Sequence, residues 1–129
     1  MADVARFKAT RGGTLLSVMG GKLSEGLDFP DEELEVVVVV GLPYPKPTAR
    51  QAALVRFYDR RFGRGFEYAA HAPMMRKVLQ SVGRLIRTPT DRGVAVLLDK
   101  RAAVLRDHLP ALAVSREAPA AARAFLDAR

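Results

Sequence analysis

The stretch "LEVVVVVG" (residues 34–41) sets five valines in a row. That many β-branched side chains without polar alternation point to a strand covered on both faces, as in a parallel sheet. "GVAVLLD" (93–99) reads as a second buried strand, and "GTLLSVMG" (13–20), bracketed by glycines, as a third. The valines run into "LPYPKPT" (42–48), whose three prolines in five positions make a stiff, extended connector. A helix is predicted over 49–62, capped by Thr48 and stopped by the glycines of "FGRGF". A second is predicted from about Pro73 to Arg87, with the proline suited to a first turn. Shorter helices are predicted over 2–10, over 101–109 ahead of Pro110, and in the alanine-rich tail from Pro119. Strands alternating with helices imply an α/β fold with a largely parallel sheet. Three strands make a small sheet, so either more strands are hidden or the chain is part of a larger domain.

At 129 residues the chain is one domain by size, with 49% hydrophobic and 27% charged residues, an ordinary globular composition. No apolar run approaches the roughly 18–20 residues of a membrane-spanning helix. The start "MADVARFKAT" lacks the apolar core of a secretory signal, so a location inside the cell, cytoplasmic or nuclear, is expected. With no cysteine, the chain holds no disulfide, no thiolate-bound zinc and no iron–sulfur cluster. The net charge of +7 is uneven. Residues 1–40 carry 4 basic and 7 acidic groups, residues 41–90 carry 10 and 2, and residues 91–129 carry 7 and 5. The middle segment, at +8, has the field that phosphates seek, though a solvated basic surface has the same composition.

On a helical wheel, Met75, Val78, Leu79, Val82, Leu85 and Ile86 fall within one arc of about 120°. Gln80, Gly83, Arg84 and Arg87 fall opposite, with Arg76 among them. Two readings fit this pattern equally. One is a solvated amphipathic helix whose arginines sit near its C-terminus, where the helix dipole favours cations. In the other, guanidinium forks read phosphate oxygens, and mid-helix Gly83, costing roughly 1 kcal/mol against alanine, marks a close approach.

"GGKLSEGLDF" (20–29) joins an apolar run to a Gly-Lys pair but is not a phosphate-binding P-loop. The pattern needs a glycine where Leu16 stands and a serine or threonine where Leu23 stands. His71 and His108 lie in no spacing that resembles a metal site. Phe57, Tyr58, Phe62, Phe66 and Tyr68 interleave with arginines, as single-stranded nucleic-acid platforms do, yet at helical spacing Phe57 and Phe62 read first as core. Asp99, closing its strand, reads first as a structural carboxylate.

Two of these stretches resemble helicase motifs. "GKLSEGLDF" (21–29) is similar to motif V of superfamily 2 helicases in the form used by the XPD/Rad3 and DinG branch. "QSVGRLIRTPTDRGVAVLLDKR" (80–101) is similar to motif VI of that branch, with 80–92 as the motif, running on into the next strand. "VVVVVGLPYPKPTA" between them resembles the strand and "GLPFP"-type loop of the same family. The resemblance runs from about residue 13 to 101.

The resemblance implies a RecA-like fold of the P-loop NTPase type, a mostly parallel sheet flanked by helices, here partial. It implies that residues 1–115 form most of the second motor domain of an ATP-dependent DNA helicase, with 116–129 as a helical tail. In such enzymes ATP with Mg2+ lies between two motor domains, and single-stranded DNA crosses both. Carried over, Arg84 and Arg87 face the γ-phosphate, one as an arginine finger, and Gln80 orients the nucleotide or the attacking water. Glu25, Gly26 and Asp28, with Gly83, line the nucleotide side, while Gly21, Lys22 and Ser24 lie nearer the DNA. No P-loop, acidic box, cysteine cluster or opening strand accompanies them, so the chain is expected to be a fragment or one half of a split reading frame. It is then expected to need an N-terminal motor domain, in cis or as a separate chain, for ATP hydrolysis. A non-catalytic nucleic-acid-binding module with a helicase-like fold is the alternative, and a small nucleotide-binding α/β enzyme a weaker third.

Overall fold

The structure is a computed structural model of the chain and describes residues 2–19, 34–86, 90–109 and 111–128. Strands β1 (Val36–Val40) and β2 (Val94–Leu98) pair in parallel, Val36 opposite Val94 and Val40 opposite Leu98. The Glu35 carbonyl accepts from the Val94 N–H at 2.9 Å, and the Gly41 N–H donates to the Leu98 carbonyl at 3.2 Å, so the pairing runs past both ends. Parallel strands need a crossover. Here it consists of α2 (Ala49–Phe62), a π turn (Glu67–His71) and α3 (Ala72–Val82). α1 (Ala2–Ala9) precedes the sheet; a 3₁₀ helix (Lys100–Leu105) and α4 (Ala118–Asp127) follow it. The α/β class and the parallel sheet implied by the valine run are both present.

The core gathers under α3. Met74 and Met75 lie one turn before Val78, and all three are buried with Leu42, from the loop after β1, and Leu105, from the 3₁₀ helix. Tyr44, Val82, Leu97, Leu109 and Leu112 pack around them. α2 is placed by its ends instead. The Gln51 N–H donates to Thr48 Oγ1 at 3.1 Å, and Gly63, at φ 66°, closes the helix in the left-handed conformation that glycine adopts without strain. Gln51 Nε2 donates to the Ala69 carbonyl at 2.7 Å, tying α2 to the π turn.

Several expectations change. The described part of 13–20 pairs with no strand among the described residues, and Leu16 and Val18 are exposed. An apolar run becomes a strand only where a sheet edge takes its backbone groups. β1 is not covered on both faces: Val39 is buried, but on the other face Val40 is 80% exposed. The second helix begins at Ala72 behind the π turn and ends at Val82, five residues short of Arg87. β2 is half-buried rather than buried. The helix expected over 101–109 is a 3₁₀ helix followed by a turn, in which the His108 and Leu109 N–H groups both donate to the Leu105 carbonyl. Phe57 and Phe62 are surface residues, each 52% exposed. Among the described residues no helix is long and apolar enough to cross a membrane.

Candidate functional site

α3 ends in a tight turn that sets out the motif VI residues. The Gly83 N–H donates to the Leu79 carbonyl at 2.8 Å, Arg84 to Ser81 at 3.4 Å and Leu85 to Val82 at 3.0 Å. Gly83 is therefore a helix cap at φ −62°, not a mid-helix residue, and a Cβ there would stand 3.0 Å from the Leu79 carbonyl. Arg84 consequently lies beyond the helix, half-buried, one turn past exposed Gln80. Leu85 is the anchor, 5% exposed. It packs on Gly93, where a Cβ would come within 2.9 Å of Leu85 Cδ2.

The wheel places Met75, Val78 and Leu85 correctly in the core, but Leu79 and Ile86 emerge at the surface. It also misses Met74, which is fully buried. Met74 precedes Val78 by four residues, so a wheel begun one position earlier finds it. Of the expected site residues, Gln80 stands on the last turn of α3, and Gly83 and Arg84 on the turn that follows. Arg87 lies outside the described residues, as do Gly21, Lys22, Ser24, Glu25, Gly26 and Asp28.

A second cluster sits at the carboxyl ends of β1 and β2, where open α/β sheets gather ligand groups. The Asp99 carboxylate accepts from the Leu42 N–H at 2.9 Å and from the Arg101 N–H at 2.8 Å. It also accepts from Arg101 Nε and Nη2 at 3.0 and 2.7 Å. The Arg101 guanidinium, then the two backbone N–H groups, hold the Asp99 carboxyl well below the usual carboxylate range. The same pairing raises Arg101. Asp99 thus has the structural role read from the sequence. Arg101 lies over the Tyr44 ring, 5.4 Å from its centroid, Tyr44 stacks on Phe66 at 5.9 Å, and the Tyr44 hydroxyl and His71 Nδ1 are 3.2 Å apart. Sequence reasoning missed this ladder; the "DKR" closing the strand was its one local sign.

The chemistry of these donors favours anions. Among the described residues no three His, Asp or Glu side chains gather as metal ligands, and Asp99 is committed to its own strand end. They do not fit Mg2+.

On α2 the rings expected in the core form an exposed cluster. Tyr58 packs against Phe57, Phe62 and Tyr68 with centroids 5.5, 6.1 and 5.8 Å apart. Arg61 lies 5.8 Å over Phe62.

The sequence profile of a family described as "Helicase C-terminal domain" matches residues 2–111. The chain is 37% identical over 95 residues to the ATP-dependent DNA helicase chl-1 of Caenorhabditis elegans, covering 73% of this chain and 11% of that protein. It is 37% identical over 109 residues to the Fanconi anemia group J protein homolog of Gallus gallus, covering 77% of this chain and 8% of that protein. With the general transcription and DNA repair factor IIH helicase subunit XPD of Dictyostelium discoideum it shares 39% identity over 93 residues, 70% of this chain and 12% of that protein. The chain therefore spans only 8 to 12% of the length of these three relatives.

Proposed function

This chain belongs to the helicase C-terminal domain family, among XPD/Rad3-like superfamily 2 helicases, and from that premise we propose that it is the second RecA-like motor domain of an ATP-dependent DNA helicase. Residues 1–115 are the motor domain in this reading and 116–129 a helical tail. ATP with Mg2+ is held mainly by a first motor domain, which supplies the P-loop and the magnesium carboxylates. Arg84 and Arg87 complete the site from the other side, one of them as an arginine finger. Phosphoryl transfer spreads negative charge over the equatorial oxygens, and fixed guanidiniums stabilise it without reorganising. Gln80 orients the nucleotide or the attacking water. Glu25, Gly26 and Asp28 line the nucleotide side, with Gly83 at the turn, while Gly21, Lys22 and Ser24 face single-stranded DNA. The enzyme acts in DNA repair or replication-linked unwinding.

The observation that supports this reading is the turn after α3: buried Leu85 anchors it, and half-buried Arg84 follows exposed Gln80 by four residues. Mixing the chain with its matching first motor domain should restore single-strand-stimulated ATPase, while the chain alone should show none. Arg84→Ala should lower kcat about a thousandfold, the scale of a lost arginine finger, and Arg87→Ala should act similarly. Full activity in both variants would remove the arginine-finger assignment.

The exposed rings of α2 favour a second reading, a nucleic-acid-binding module without catalysis. Salt-sensitive DNA binding that ignores ATP, with no ATPase restored by any first motor domain, would select it.

A further inference from the structure

The family match ends at residue 111, and α4 lies beyond it. Burial alone does not hold this helix: none of its residues is buried, and Phe125 is about half exposed. A cleft of about 610 Å³, open to solvent, lies between Glu35, just ahead of β1, and Arg123, Leu126 and Asp127 of α4. Arg92 bonds the C-terminal end of the helix. Its Nη2 donates to the Phe125 carbonyl at 3.1 Å, and Nη1 and Nη2 both donate to the Ala128 carbonyl at 3.3 Å. The same guanidinium lies over the Phe125 ring, 5.1 Å from its centroid. The last carbonyls of a helix lack partners within it and carry its partial negative charge, which a planar, stacking cation complements.

Arg92 belongs to motif VI, and the backbone next to it leads back to the site. Gly93 follows it and packs on Leu85, and a Cβ there would also lie 3.2 Å from the Glu35 carbonyl. Leu85 in turn anchors the turn that carries Arg84. We propose that α4 is a strap and Arg92 a positioning residue for Arg84. Docked α4 fixes Arg92, Arg92 fixes the backbone at Gly93, and Gly93 backs Leu85 so that the Arg84 turn keeps its place. The functional half of this inference rests on the reading of Arg84 as phosphate-facing.

Amide hydrogen exchange on the full chain tests it, with Arg92→Ala, Arg92→Lys and Phe125→Ala as variants. Exchange at Ala121, whose N–H donates to the Glu117 carbonyl within α4, should quicken about tenfold in Arg92→Ala as the helix undocks. The amides of Gly83, Arg84 and Leu85 should quicken about threefold with it, while Gly63 on α2 stays unchanged. Phe125→Ala should act in the same direction and add little to Arg92→Ala, since both break one contact. Arg92→Lys keeps the charge but not the fork, so it should fall between wild type and Arg92→Ala. With the first motor domain present, Arg92→Ala should lower kcat and leave the KM for ATP unchanged. Unchanged exchange at Gly83, Arg84 and Leu85 while Ala121 quickens would overturn the inference, as would an unchanged Ala121. Failure of the motor-domain reading shows separately, as full ATPase in Arg84→Ala whatever the exchange rates.

Discussion

α2 and α3 belong to one crossover and carry similar residue types, yet they are held in different ways. α3 sinks Met74, Met75 and Val78 into the core, whereas α2, at fourteen residues, buries none of its side chains. α2 is held by its caps and by Gly65, whose backbone packs so close that a Cβ would collide with the Val55 carbonyl. Apolar content does not separate them, because α2 carries Leu54, Val55, Phe57 and Phe62. What separates them is where those side chains point. On α3 they turn toward Leu42 and Leu105; on α2 the rings turn toward one another and toward solvent, among Arg56, Arg60 and Arg61. One helix is thus a foundation for the turn that bears Arg84. The other is a surface the fold can present without losing its core.

The strongest way to break this contrast is to remove one buried side chain from α3. Met74→Ala should cost about 2–5 kcal/mol in urea unfolding, because it removes most of a fully buried side chain from the core. Each kcal/mol lost should lower Tm by about 3–4 °C in a domain of this size. A loss under about 1 kcal/mol, the average for any substitution, would mean that α3 is not the foundation.

A smaller effect is expected where the two helices share a support. Asp99 holds the Leu42 N–H, and Leu42 both lies in the core under α3 and opens the proline-rich connector to α2. The Asp99 carboxyl titrates below its ordinary range when folded and near 3.9 when unfolded. The folded state therefore holds fewer protons, and the stability from this group is complete above the unfolded value. It is lost as pH falls through about 4 toward the folded value. Asp99→Asn keeps an acceptor for Leu42 but loses the charged pairing with Arg101. Its unfolding midpoint should consequently fall less than that of the wild type between pH 6 and pH 3. Equal slopes would show that Asp99 does not couple folding to pH.

The same contrast explains what could be read before the fold was known. Thr48, Gly63 and the prolines act within a few residues of chain, so α2 and its limits were legible from local chemistry alone. The parallel pairing of the valine run was legible too, because unbroken β-branched stretches have few other uses. Three features were not. The end of α3 at Val82 depends on Leu85 finding Gly93, eight residues away and on the far side of a turn. Arg92 gives no hint in sequence of a partner more than thirty residues on, since its acceptors are backbone carbonyls that every residue has. Whether Phe57 and Phe62 are core or surface is set by what lies across from α2, and periodicity carries no information about that. The family was legible through the two motifs, whereas the geometry of the turn after α3 was not.

Phe57→Ala tests the other side of the contrast and should have the smallest effect on folding. The ring is half exposed and meets Tyr58 edge-on, so removing it should change stability by no more than about 0.5 kcal/mol. Its effect should appear in binding instead. A ring on which one base stacks is worth about 1–3 kcal/mol, so single-stranded DNA affinity should fall at least about fivefold. That loss should persist at every salt concentration, because stacking releases no counterions, whereas Arg61→Ala should flatten the salt dependence itself. If Phe57→Ala destabilised the fold as Met74→Ala does, α2 would be a second foundation and its rings a misplaced core. If it altered neither folding nor binding, the cluster would be surface chemistry with another partner.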